Sequence, residues 1–449
     1  MDNNQQELLE RREARRKRRR KNQIVAYTAV MGMIILLAVG IVFGVNYVTK
    51  LAKQEEEAKK EQVESLLDTE ENMEEIQEPE EPEEPEEPQE PEEIIVELTP
   101  QQKLDEIVDA CIEVMPLEDK VAGLFIVTPE SITGVNTAVK AGDGTREALT
   151  KYAVGGVIYS DKNIRSKEQL MEMIDNTRNF SRYRLFVAVQ EESGNVSTVA
   201  KAGIGTKTDS AQTIGQSGDI NNAYLAGSTI GGYLSELGFD LNFAPVADMN
   251  TVEGSALKDR TYGNNGDVTA SFVTAMIQGL QEQNVTACLK YFPGMGSTTK
   301  DTKDGMAVTE RTLEEFRANE FKVYQAGIEA GADMIMVGHL SAPALVGDNT
   351  PCSLSPAVVT TLLREELAYD GVIVSDALNK KAISEYYDSE QAAILALRAG
   401  CDMLLMPENF EQAYNGVLKA VQEGTISEER IKDALKRIYR IKFADKIEE

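Results

Sequence analysis

The hydrophobic and polar positions divide the chain into stretches that obey different rules. A basic run from Arg11 to Lys21 leads into residues 24–45, which carry no charge. About 22 residues at 1.5 Å each make about 33 Å of helix, enough to cross a bilayer core. From 51 to 97 the apolar residues thin out, and a three-residue unit repeats with prolines at 79, 82, 85, 88 and 91. Beyond Pro100, short apolar runs alternate with longer segments of helical period. The strand-like runs are 121–127, 155–160, 184–190, 241–248, 285–292, 332–339, 371–376 and 402–407. Helical periodicity marks 167–180, 220–237, 267–283, 312–330, 356–367 and 390–399. Gly238, Gly331 and Gly400 stand at helix ends just before a strand, where a left-handed cap is needed. Eight strands with crossover helices predict an α/β fold, a (β/α)8 TIM barrel rather than an open sheet.

Charge changes how these stretches are read. The 449 residues hold 75 Asp and Glu against 46 Lys and Arg, a net charge of −29. Residues 51–97 alone carry 21 acids and three lysines, so more than half of that charge lies in the proline-repeat stretch. Glu-rich sequence with proline at every third position favours an extended polyproline rod, that is, a solvated spacer. The expected organisation is a basic cytoplasmic tail (1–23), one transmembrane helix (24–46), an acidic Pro/Glu-rich linker (47–100) and the barrel (101–449). The positive flank predicts a cytoplasmic N-terminus, with the barrel outside the cell membrane. A cleavable signal peptide is the competing reading, against which stand the length of the apolar stretch and the lack of a small-x-small site after it. Such acidity argues against nucleic-acid binding. One histidine and four scattered cysteines (Cys111, Cys288, Cys352, Cys401) exclude a multi-histidine or zinc-cluster site. The cysteines read as buried thiols, with disulfide pairing left open.

Chemistry in such a barrel gathers at the C-terminal ends of the strands. Those ends carry Asp161, then Gln190, Glu191 and Glu192, then Asp248, Lys290 with Tyr291, His339, and Asp376. Apolar strands that each end in a polar group predict a polar pocket.

The segments FAPVADMN (243–250), DRTYG (259–263), LKYFPGMG (289–296), YDGVIVSDAL (369–378) and RAGCDMLLMP (398–407) occur in one frame. From about 104 to 442 the chain resembles the barrel of glycoside hydrolase family 3, of the single-domain β-N-acetylhexosaminidase type. The resemblance implies retaining cleavage, in which a carboxylate attacks the anomeric carbon and a second group protonates the leaving oxygen. Asp376 matches the family's nucleophile. The family's Asp-x-His acid triplet reads Asp301, Thr302, Lys303, so the aspartate is kept and the imidazole replaced by an ammonium, a weak donor at neutral pH. Lys-His-Phe-Pro-Gly-His-Gly reads Lys290, Tyr291, Phe292, Pro293, Gly294, Met295, Gly296. Asp-Gln-Glu-Gly-Gly-Arg reads Gln190, Glu191, Glu192, Ser193, Gly194, Asn195.

Asp376, Asp301 and Lys303 are therefore the expected catalytic set, with Glu192 or Asp161 as substitute acids. Arg260, Lys290, Tyr291, Gln190, Asp248 and His339 are the expected substrate-binding set. Lys290 and Arg260 serve as charge-assisted donors to sugar hydroxyls and an acetamido group. His339, the lone imidazole, matches a family position but reads more readily as structural. No metal or organic cofactor is implied. The expected partner is a β-linked N-acetylglucosamine glycan, peptidoglycan or its fragments. The alternatives are a catalytically silent barrel that binds a wall glycan or an envelope protein, and a pocket reshaped by Tyr291 and Met295 for another sugar.

Overall fold

The computed structural model describes residues 98–446. The predicted tail, membrane helix and most of the linker lie outside the described residues. No helix among the described residues is long and apolar enough to cross a membrane. The strands are β1 (Phe125–Val127), β2 (Gly156–Tyr159), β3 (Phe186–Val189), β4 (Leu241–Asn242), β5 (Thr286–Phe292), β6 (Met334–Val337), β7 (Val372–Ser375) and β8 (Leu404–Leu405). All pair in parallel, in the order β7-β6-β5-β4-β3-β2-β1-β8. The ring closes through the bridge between Val374 and Met403, where Ser375 N–H donates to the Met403 carbonyl at 3.0 Å. Every residue of β1, β3, β5, β6 and β7 is buried, as expected of strands covered by helices on one side and packed against each other on the other.

Local chemistry sets the element boundaries. Helix Lys167–Phe180 starts at Ser166, whose side chain caps Gln169 N–H. Residues 121–122, expected in the first strand, instead end helix Leu117–Ala122, whose first turn carries Glu118 and Asp119. The fourth strand stops at Asn242 instead of reaching 248, because Pro245 has no N–H for the ladder. The helix expected over 312–330 is two, Leu313–Ala318 and Glu320–Glu329, broken where Asn319 leaves helical geometry at φ −131° and ψ −82°. Segment Ala357–Glu366 winds as a π-helix. All four thiols are free, and Cys111 is only half-buried.

The end of the barrel opposite the strand termini is tied by charge. Asp402, ahead of β8, pairs with Arg364 at 2.7 Å and Arg430 at 3.4 Å and accepts Ile373 N–H at 2.9 Å. A cavity of about 910 Å³ opens there too, beside Phe186, Asp240, Thr286 and Asp333 at the strand starts. It lies at the end opposite the C-terminal strand ends, where the chemistry of such barrels gathers.

Candidate active site

Asp376 follows β7 directly. Its own N–H donates to the Val337 carbonyl at 2.9 Å, which ties it to the end of β6. A turn closed by Lys380 N–H on the Ala377 carbonyl, 3.0 Å, then folds the chain back. Both carboxylate oxygens are engaged: Oδ1 accepts Ala377 N–H at 2.8 Å, and Oδ2 accepts Lys380 Nζ at 2.6 Å. The side chain is only 4% exposed. Burial would raise its pKa, but the Lys380 ammonium outweighs this and holds the carboxyl below its ordinary value.

His339 is fully buried, and both ring nitrogens are occupied. Nε2 lies 3.0 Å from the Ala377 carbonyl, which can only accept, so Nε2 carries the proton and Nδ1 accepts from Ser353 Oγ at 2.7 Å. Burial pushes its pKa down to about 4, so the ring is neutral. It anchors the loop that carries Asp376.

A second charged group gathers from the ends of β3 and β5 and the loop after β4. Glu192 accepts Arg260 Nε at 2.8 Å and Nη2 at 2.7 Å, and Lys290 Nζ at 2.5 Å. Burial alone would raise Glu192, but Lys290 and Arg260 bring it down to about 2. Gln190 Nε2 also donates to it at 3.1 Å. With its oxygens saturated and its proton lost, Glu192 organises cations and is a poor proton donor. Arg260 Nη2 reaches the Tyr291 hydroxyl at 2.7 Å. The Tyr291 ring lies 5.2 Å from Lys380 Nζ, 5.3 Å from Lys290 Nζ and 5.5 Å from Arg260 Cζ, measured to its centroid. The neighbouring Glu191 does different work: it accepts Val199 N–H at 2.6 Å, Ala200 N–H at 2.9 Å and the Tyr233 hydroxyl at 2.7 Å, capping a short helix.

Asp248 comes from the segment that follows β4. Fully buried, it accepts Met249 N–H at 2.7 Å, Gly296 N–H at 3.1 Å and Met295 N–H, and so pins the 293–296 loop after β5. The loop's glycines are needed here. A Cβ on Gly296 would sit 1.5 Å from the Met249 carbonyl, and one on Gly294, at φ +140°, would strike Glu320 at 2.8 Å. Burial raises Asp248 to about 7 despite its three N–H donors, and burial plus the Asp248 charge raises Glu320 to about 8.

The remaining residues sit on the same face. Asp301 accepts Lys303 N–H at 2.9 Å and pairs with Lys303 Nζ at 3.2 Å, and the Lys303 side chain is 65% exposed. The turn Thr302–Asp304 packs on helix Lys381–Ser384, which places Asp301 beside Lys380. Asp161 is exposed, and its carboxylate accepts Lys162 N–H at 2.9 Å. The residue that inspection of the sequence passed over is Lys380. Its only local signal is the four-residue spacing from Asp376, which a turn converts into contact.

The parallel barrel thus carries a buried aspartate at one strand end, with Lys380, Lys290 and Arg260 among the side chains gathered on that face. The chain matches the Glycosyl hydrolase family 3 N terminal domain over residues 116–441 and belongs to that family. It is 28% identical over 327 residues to Beta-hexosaminidase A of Pseudoalteromonas piscicida, covering 66% of this chain and 54% of that protein. It is 30% identical over 284 residues to a Beta-hexosaminidase of Stenotrophomonas maltophilia, covering 61% and 82%. The solved family 3 beta-N-acetylglucosaminidase from Paenibacillus sp. superposes with a TM-score of 0.70 at 30% identity, covering 75% of this chain and 64% of that one. The chain thus spans about half the length of the first of these relatives and under two thirds of the Paenibacillus chain.

Proposed function

We propose that this barrel hydrolyses β-linked N-acetylglucosamine glycans of the cell wall by a retaining route, with Asp376 as nucleophile. The observation that carries this is the buried, ionised Asp376 at the end of β7, within a segment matching the family's nucleophile motif. An Asp376 oxygen attacks the anomeric carbon as the glycosidic C–O bond breaks, and the leaving oxygen takes a proton from solvent. Water then attacks the anomeric carbon of the glycosyl ester, its O–H staying on the sugar, its other proton returning to solvent and the Asp376 carboxylate being released. Arg260 and Lys290, ordered by Glu192, supply donors for sugar hydroxyls and the acetamido group. The reading is further supported by relatives named beta-hexosaminidase and beta-N-acetylglucosaminidase. We place the barrel outside the membrane, tethered through 24–46, a reading supported by the basic run ahead of an uncharged apolar stretch.

A second reading, a silent glycan- or envelope-protein-binding barrel, is favoured by one feature. Glu192 is saturated by cations, His339 is tied on both nitrogens, and Lys303 is exposed and paired, so the pocket lacks an evident acid. Turnover of an activated aryl β-N-acetylglucosaminide, whose leaving group needs no proton, separates the two. Hydrolysis by the purified protein upholds the enzyme, whereas no turnover in a folded protein that still binds N-acetylglucosamine establishes the silent barrel.

A further inference from the structure

The contact between Lys380 and Asp376 is too close for the job the pocket lacks. A retaining acid/base stands about 5–5.5 Å from its nucleophile, leaving room for the sugar between them. Lys380 Nζ lies 2.6 Å from Asp376 Oδ2, on the nucleophile itself. It cannot be the leaving-group donor from there, and while it stays it neutralises the charge that must attack. Two further features distinguish it from a buried structural pair. The Lys380 side chain keeps 19% of its surface exposed against 4% for Asp376, so the lysine is the less enclosed member of the pair. Among the described residues the Lys380 ammonium makes one side-chain hydrogen bond, to Asp376, and an ammonium can donate three. Its charge lies over the Tyr291 ring, and a long lysine stem can swing across such a face.

We propose that Lys380 is a substrate-operated clamp on Asp376, holding the carboxylate in the free protein and passing to a carbonyl or carboxylate acceptor of the bound sugar as the nucleophile is released. The clamp is thus a positioning and specificity element. A sugar with an acetamido or acid group beside the anomeric carbon opens it, and a plain hydroxyl there opens it poorly. The inference rests on the hydrolase reading for the identity of the ligand. The other groups around the pair are His339 at the end of β6, Cys288, Lys290 and Tyr291 of β5, and Asp301 of the loop after β5. His339 is neutral, and Lys290 is committed to Glu192, which leaves Lys380 as the cation that governs Asp376.

The test is the titration of the Asp376 carboxyl by carbon-13 NMR in the full chain, assigned with Asp376→Asn. Lys380→Met should raise its midpoint by about one pH unit or more, the scale of losing an adjacent opposite charge. Lys380→Arg should restore the low midpoint. Saturating N-acetylglucosamine should raise the wild-type midpoint toward that of Lys380→Met and leave the Met variant unmoved. An unmoved midpoint in a folded Lys380→Met, in a protein that does turn over the aryl sugar, overturns the clamp and leaves the hydrolase reading standing. A raised midpoint in a protein that turns nothing over upholds the pairing and overturns the hydrolase reading. Bound sugar that leaves the wild-type midpoint in place overturns the release step.

Discussion

Segment 289–296, the end of β5 and the loop after it, touches two buried pairs of carboxyl groups that behave in opposite ways. In front of it, Asp376 and Glu192 are both held ionised. Behind it, Asp248 and Glu320 rise to about 7 and about 8. Burial is nearly complete on both sides, so it cannot account for the difference. Counter-charge does. The front holds Lys290, Arg260 and Lys380 for two acids, while the back has Arg311 on Glu320 at 3.0 Å and only backbone N–H groups on Asp248. The front is therefore poised for chemistry that needs an anion, and the back is a support in which one carboxyl keeps its proton near neutrality.

The comparison can be broken most strongly from the front. Glu192→Ala leaves Arg260 and Lys290 buried without their partner and should cost about 3–5 kcal/mol, read from denaturant unfolding. A cost below about 1 kcal/mol would mean that the two cations find other partners and that Glu192 does not organise them. Next in size is a gain of function. Lys303→His places a donor that titrates near neutrality beside Asp301, and should raise kcat about 10²-fold on an unactivated N-acetylglucosaminide while barely changing an activated aryl substrate. Equal gains on both substrates would show that proton delivery was not what the wild-type loop lacked.

The back gives the smallest effect, and its sign follows from linkage. The folded-state pKa of Glu320 lies above the ordinary 4.5, so the folded protein binds more protons than the unfolded chain between about 4.5 and about 8. Stability is complete below that window and falls as pH rises through it, the reverse of the contribution from Glu192 and Asp376. Glu320→Gln, which mimics the protonated acid, should cut the loss between pH 5 and pH 8 by about 1–3 kcal/mol. An unchanged pH slope would place the charge at the back elsewhere.

The two sides also differ in how far they could be read from residues alone. Asp376 was legible because a β-rich run ends on it within a recognisable segment, and helix 167–180 because its apolar period marks it. Lys380 was not, since a lysine four residues past a strand reads as a solvated surface residue until a turn returns it to the carboxylate. Glu192 was visible only as a possible acid, because its partners Lys290 and Arg260 arrive from sequence-distant elements. The expected sugar contact at Asp248 could not be told from a loop pin, because its partners are backbone N–H groups that any residue supplies. The break at Asn319, within a helical pattern that continues across it, depends on tertiary packing of the two halves.

The central claim is that Asp376 becomes covalently glycosylated. Incubation with an activated fluorosugar of the N-acetylglucosamine series, which forms the glycosyl ester quickly and loses it slowly, followed by peptide mass spectrometry, tests it most directly. The prediction is a single adduct on the peptide bearing Asp376, absent from Asp376→Asn. An adduct on another carboxylate, or none on a folded wild-type protein, would contradict it.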